Sequence, residues 1–279
     1  MNGNITISKD RHLARLILCS DDFAFSRGVS ETIAELARAE KINAISCMAA
    51  MPGWIADSKL LHGLPDHVQI GLHLTLTDEV PLTPMPRLAP AGRLPAINPL
   101  GRMATRGRIP LDEAAAEIAA QFDAFIAALG RAPAFVDGHQ HAHALPGIRD
   151  LVLAETALRA PQAWIRDCTD RLTAMLARPF AGKAIGSAWH SRGLRRAAAA
   201  VGLATNESFA GHYDFAGDYR ALFPRFLRKP GGTHLVMCHP GAGARPGDAI
   251  ATARSREAEA LRNWPIADMA AIEGLAFPA

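Results

Sequence analysis

Residues 111–143 read LDEAAAEIAAQFDAFIAALGRAPAFVDGHQHAH. Over Leu111–Leu129 the apolar residues Ile118, Phe122, Phe125, Ile126 and Leu129 fall on one helical stripe. Pro110 precedes this helix, Asp112 and Glu113 suit its positive N-terminal end, and Gly130 stops it. A short apolar strand, Ala134–Asp137, follows and runs directly into Gly138-His139-Gln140-His141-Ala142-His143. Helix, tight connection, strand and polar cluster form the repeating unit of a parallel sheet. Working outward, strand-like runs recur at Arg15–Cys19, Ala44–Ala50, Val68–Leu74, Trp164–Arg166 and His234–Cys238. Between them lie helical patterns at Val29–Ala39, Leu151–Leu158, Leu194–Val201, Tyr219–Leu227 and Ala251–Leu261. Such alternation indicates βαβ units. Six or seven of them predict an α/β fold, a single-domain distorted TIM-like (β/α) barrel over residues 1–279, rather than an open sheet.

One segment interrupts the rhythm. Pro81–Pro110 holds seven prolines, five arginines (Arg87, Arg93, Arg102, Arg106, Arg108) and no acidic residue. It reads as an insertion over about residues 80–110 without secondary structure of its own. Two readings stand: a solvated loop, or a lid or substrate wall whose uncompensated charge attracts an anionic ligand.

Composition narrows the function classes. With 279 residues, 49% hydrophobic and a formal charge of +3, the chain can bury a large core, is not disordered, and lacks the basic excess of a nucleic-acid binder. Four tryptophans and two tyrosines argue against a base-stacking or aromatic carbohydrate platform. Cys19, Cys47, Cys168 and Cys238 show no metal-knuckle spacing and read as small buried thiols. The first ten residues are polar, so no signal peptide is expected, and no apolar run approaches the roughly 18 residues of a transmembrane segment. The expected location is cytoplasmic.

The eleven histidines are unevenly spread, and four polar clusters fall at the C-terminal ends of strand candidates. Asp21-Asp22 follows Leu16–Cys19; two adjacent carboxylates repel each other, and a bound cation would relieve that, leaving one as ligand and the other as base. His73 lies in GLHLTLT, where a satisfied core histidine and a ligand are both open readings. In an extended chain, Asp137, His139, His141 and His143 would point to one side, which suits a metal or proton-transfer site. His239, in LVMCHPGAG, either ends a strand or serves as a general acid. The C-terminal edge is where barrels and open α/β sheets assemble active sites. One carboxylate with two imidazoles makes a divalent-metal set, and a further Asp and His supply a base and an acid. The combination reads as metal-assisted hydrolysis. His12, His62, His67, His190, His212 and His234 take the ordinary structural reading.

Asp21-Asp22-Phe23, GLHLTLT, DGHQHAHALPGI from Asp137 to Ile148, and CHPG from Cys238 to Gly241 resemble the motifs of the YdjC-like carbohydrate deacetylases. That family includes ChbG-type chitooligosaccharide deacetylases and hopanoid-associated HpnK-type proteins. The motifs occur in the family's order across nearly the whole chain, and TNESFAGHYDF (205–215) is similar as well. The resemblance implies a distorted barrel, one divalent metal ion (Mg2+ or Zn2+), hydrolysis of an N-acetyl group on an amino sugar or glycolipid, and a homodimer. By position, Asp22, His73 and His139 would be the ligands, Asp21 the base and His239 the acid. In three places the sequence departs from the family's pattern. Ala24 stands where a glycine follows Asp-Asp-Phe, Thr75 replaces an asparagine, and Gly138 replaces a serine.

On this reading Asp21 takes a proton from a metal-activated water attacking the acetyl carbonyl, and a protonated His239 delivers one to the departing amine. His141, His143, Arg166 and Asp137 are candidates for substrate contact, Asp137 also for orienting an imidazole and Arg166 for pairing with Asp21. Two rivals remain, an Fe(II) oxygenase using the same Asp and two His, and a metal- or sugar-binding relative without activity.

Overall fold

The computed structural model describes residues 13–243 and 245–277. The N-terminal residues read as lacking a signal, and His12, lie outside them. Among the described residues, nine strands form one parallel sheet: β1 (Ala14–Phe23), β2 (Ala44–Cys47), β3 (Gln69–Leu74), β4 (Phe135–Gly138), β5 (Trp164–Ile165), β6 (Ala204–Thr205), β7 (Ser208–Ala210), β8 (Thr233–Cys238) and β9 (Leu275–Ala276). The order is β6-β5-β4-β3-β2-β1-β8-β7, with β9 added against the start of β1. Eight parallel strands thus curl into a TIM-like α/β half-barrel flanked by helices, as the alternating pattern predicts. From Leu16 to Phe23, β1 is buried on both faces, as a strand between a helical layer and a barrel interior must be.

No ladder joins β6 to β7, yet only Asn206 and Glu207 separate them. They are two halves of one extended stretch, the first pairing β5 and the second β8. The buried Asn206 amide fills the seam: its oxygen accepts from Asp167 N at 2.7 Å, and its nitrogen donates to Asp167 O at 2.9 Å and Ser208 O at 3.1 Å. Asn206→Ala leaves these backbone groups unpaired and is expected to cost about 3 kcal/mol of stability, read as a lower urea midpoint with an unchanged slope.

The helix Leu111–Leu129 has the expected bounds, and Gly130 closes it in the left-handed conformation (φ 65°). Its buried face is more polar than the apolar stripe suggested, because Glu113, Glu117 and Gln121 lie on it with Ile118, Phe122 and Phe125. Those carboxylates correct the reading of the insertion. Glu117 accepts from Leu82 N and Thr83 N, Glu113 accepts from Arg87 N and Leu88 N, and Arg87 pairs with Glu113 and Asp112. The segment also contains a helix, Ile97–Thr105, and buries Met85, Leu88, Leu94 and Leu100. It is a packed, tied-down wall rather than a structureless loop, and the acids that balance Arg87 come from the next helix.

No helix among the described residues is long and apolar enough to cross a membrane.

Candidate active site

The polar clusters meet at the C-terminal edge of the sheet, around a cavity of about 470 Å³. The acidic pair gets there through a bulge. Cys19 and Ser20 of β1 pair with Ala44 and Ile45 of β2, but Phe23 pairs with Cys47, so β1 carries one extra residue. Asp22 takes it up at φ 67°. Strict alternation would aim the two carboxylates at opposite faces; a bulge re-aims one of them, and both line the cavity. Ala24 follows at φ 74°, a left-handed conformation that glycine adopts without strain, so the backbone path holds although the sequence has alanine there.

Asp22 Oδ1 lies 3.0 Å from His139 Nδ1 and 3.4 Å from His73 Nε2, and one donor atom from each of the three residues falls within 4.8 Å of the others. His73 is oriented from behind. Its Nδ1 is 2.6 Å from Asp137 Oδ1 and 2.9 Å from Ser46 Oγ, which aims Nε2 at Asp22. Burial disfavours the charged imidazolium, but Asp137 and Asp22 outweigh it and push His73 up to about 10. Burial works against the Asp22 carboxylate too, and Arg254 with His139 holds it well below the ordinary range. Arg254 Nη2 donates to Asp22 Oδ2 at 2.8 Å, and its Nε donates to Asp248 at 3.0 Å.

Asp21 is gripped by Arg166, whose Nη1 and Nη2 donate to its two oxygens at 2.6 Å each. Arg166 Nη2 also lies 2.5 Å from Asp137 Oδ2 and 3.1 Å from Cys19 Sγ. Cys19, Asp21 and Asp137 therefore form a second acidic cluster, already filled by a guanidinium. Although burial disfavours its charge, Asp137 and Asp21 hold Arg166 well above its ordinary value. His239 Nε2 stands 3.8 Å from Asp21 Oδ2, and its backbone N–H donates to Glu257 Oε2 at 2.5 Å. Burial pulls His239 down to about 4 against the pull of Asp22 and Asp21, and lifts Glu257 to about 7.

The cavity holds Asp21, Asp22, His73, His139, His141 and His239 together. Asp137, His143 and Arg166, also candidates for substrate contact, are fully buried and lie outside the cavity lining. Nor does the chain stay extended after β4. His139–Ala144 is a short 3-10 turn with Gln140 and His141 left-handed, and His143 folds back to donate from Nε2 to Arg166 O at 2.9 Å. Gly138 permits this return, since a Cβ there would meet His143 N at 3.0 Å. Thr75, which stands in place of an asparagine, is buried against Gln121, whose amide exchanges two hydrogen bonds with its backbone. Burial thus favours the neutral imidazole of His239.

Several residues went unread in the sequence. His212, given the structural reading, lines the cavity beside His141 with ring centroids 5.7 Å apart. Arg254 and Glu257 share the buried face of the helix Ala251–Asn263 with Ala253, Ala258 and Leu261. In that charge-rich window no local signal marks either residue as buried.

Among known proteins, a family model described as YdjC-like protein matches residues 15–271. The chitooligosaccharide deacetylase of Enterobacter sp. (strain 638) is 37% identical over 140 residues, 49% of this chain and 53% of that protein. That of Salmonella heidelberg (strain SL476) is 33% identical over 160 residues, 57% and 61% of the two chains. The chain spans about half the length of the curated relatives it matches. A solved structure from Enterococcus faecalis V583, a candidate cellobiose-phosphate cleavage protein, superposes with a TM-score of 0.71 at 18% identity, covering 95% of this chain and 97% of that one. That likeness is one of fold alone. The family match, by contrast, runs from the second residue of β1 to the helix before β9, through every cluster at the cavity, and the chain belongs to the YdjC-like protein family.

Proposed function

We propose that the chain is a metal-dependent carbohydrate N-deacetylase, a hydrolase that cleaves the amide C–N bond of an N-acetyl group on an amino-sugar unit of an oligosaccharide or glycolipid. One observation carries this reading: Asp22, His73 and His139 converge beside Asp21 and His239 in one cavity. The relatives named chitooligosaccharide deacetylases support the choice of an acetylated sugar.

The donor set fits a divalent ion. His73 commits Nδ1 to Asp137, which leaves Nε2 free to bind, and one carboxylate with two imidazoles suits Zn2+ while Mg2+ accepts the carboxylate. Held by Asp22, His73 and His139, such an ion would polarise the acetyl carbonyl and lower the pKa of a water. Asp21, fixed in place by Arg166, takes the proton as that water attacks the carbonyl carbon. His239, neutral at rest, receives this proton across the 3.8 Å from Asp21 Oδ2 and passes it to the nitrogen as the C–N bond breaks. Acetate and a free amine leave, and both residues return to their starting state. His141 and His212 remain on the cavity wall to contact the sugar.

The test is acetate release over a panel of N-acetylated sugars, with divalent-ion content measured on the same preparation. Turnover should disappear on chelation and return with one equivalent of ion. No acetate from any sugar, with or without added metal, overturns the proposal.

A further inference from the structure

Of the two side chains proposed to move the proton, Asp21 is gripped by two hydrogen bonds from Arg166. The His239 ring has no such grip among the described residues. Its Nδ1 is buried without a partner, and its Nε2 stands 3.8 Å from Asp21 Oδ2, too far for a hydrogen bond. A functional imidazole is ordinarily oriented through a hydrogen bond at its second ring nitrogen, as Asp137 orients His73. His239 must therefore be placed by other means, and its backbone supplies them. His239 follows β8; its N–H donates to Glu257 Oε2 at 2.5 Å, and the Gly241 N–H donates to Arg254 O at 3.1 Å. Both acceptors belong to the helix Ala251–Asn263. The turn lies hard against its neighbours, since a Cβ on Gly241 would meet Val29 Cγ2 at 2.7 Å.

Glu257 is fully buried and stays outside the cavity lining. Its second oxygen, Oε1, accepts from the Tyr213 hydroxyl. Tyr213 and Phe215 lie beyond β7, and the Phe215 ring meets the His239 ring edge-on, with centroids 5.4 Å apart. One carboxylate thus ties together the end of β8, the segment after β7 and the helix. Burying a carboxylate is costly where an apolar side chain would pack without that cost, so its two hydrogen bonds call for a purpose beyond filling space. We propose that Glu257 is a positioning residue: through the His239 N–H and the Tyr213 hydroxyl it holds the end of β8, so that the His239 ring stays beside Asp21 and within reach of the departing nitrogen. This rests on the deacetylase reading above. The role requires reach rather than charge, because both oxygens accept hydrogen bonds and neither lines the cavity. Arg254, three residues earlier on the same helix face, donates to Asp22, so a single turn of helix sets His239 against the proposed ligand triad.

The test compares two variants with the parent on N-acetylglucosamine and N,N'-diacetylchitobiose. Glu257→Gln keeps the reach and an acceptor for the His239 N–H but loses the charge. Glu257→Asp keeps the charge and falls short by one methylene. Glu257→Gln should hold kcat within about threefold of the parent, whereas Glu257→Asp should lose about thirtyfold or more, with KM and bound-ion content unchanged. A signature independent of turnover is the nuclear Overhauser contact between the His239 and Phe215 rings. It should persist in Glu257→Gln and fade in Glu257→Asp, while the contact between the stacked Phe135 and Trp164 rings persists in both. A Glu257 that serves stability alone would lower the melting temperature of Glu257→Asp and leave its kcat per folded molecule and its ring contact intact. That outcome, or a loss of kcat in Glu257→Gln as large as in Glu257→Asp, overturns the proposal. Should Glu257→Asp not fold, Tyr213→Phe replaces it: freeing one carboxylate oxygen should lower kcat about fivefold and weaken the same ring contact, and no change in either overturns the proposal. If the parent releases acetate from neither sugar, the deacetylase reading fails separately. The ring contact then decides alone, and its survival in Glu257→Asp removes the positioning role.

Discussion

Asp21→Asn is expected to lower acetate release by about a thousandfold or more while leaving the bound divalent ion in place. The two adjacent carboxylates have separate surroundings. Asp22 faces His139, His73 and Arg254, whereas Asp21 faces Arg166 and His239. An asparagine at 21 keeps the size of the side chain and leaves the ligand triad untouched, but it cannot accept a proton from water. It also takes one negative partner from the buried Arg166. Asp137 remains 2.5 Å from that guanidinium, so a moderate loss of stability of about 1–3 kcal/mol should accompany the loss of turnover. Assays well below the unfolding temperature, with ion content determined on the same sample, separate the effects. A variant that keeps a tenth of parental activity removes Asp21 from the role of base. One that loses the ion makes it a ligand instead.

The legible and illegible parts of this site divide by sequence distance. Leu111–Leu129 could be bounded from its own residues, because its stripe, its N-terminal acids and Gly130 are local signals. The strand ends at Asp21, His73, Asp137 and His239 were legible for the same reason, an apolar run stopping at a polar residue. What escaped depends on partners far along the chain. Arg254 reaches Asp22 across 232 positions, and in its own window ATARSREAEALRN looks like a solvated helix. The insertion looked unbalanced because Glu113 and Glu117, which bind its backbone, belong to the following helix. The turn after β4 defeated an extended reading because Gln140 and His141 adopt a backbone that no propensity favours. His212 sits two residues past the short strand β7, whose pairing with β8 makes it part of the same edge.

Affinity for the divalent ion is expected to rise about tenfold per pH unit between pH 6 and 9, with about one proton released per ion bound. The reason is charge. In the buried ion-pair network around the ligand triad, four carboxylates, Asp21, Asp22, Asp137 and Asp248, face two guanidiniums, Arg166 and Arg254, leaving two negative charges in excess within that network. In the metal-free protein His73 offsets part of that excess: Asp137 and Asp22 outweigh its burial and hold it protonated up to about 10. Its Nε2 cannot carry a proton and bind a cation together, so the proton must leave. Because the folded-state value lies above the ordinary 6.5, this group stabilises the metal-free protein fully below about pH 6.5, and that stability is lost as pH rises through about 10. The ion-bound protein has no such loss, so the rise in melting temperature on adding ion should grow with pH. Calorimetry in buffers of different ionisation enthalpy reads the proton directly. Release of no proton across this range would mean that His73 is already neutral or lies outside the ligand set; His73→Ala, which should bind the ion far more weakly, decides between the two.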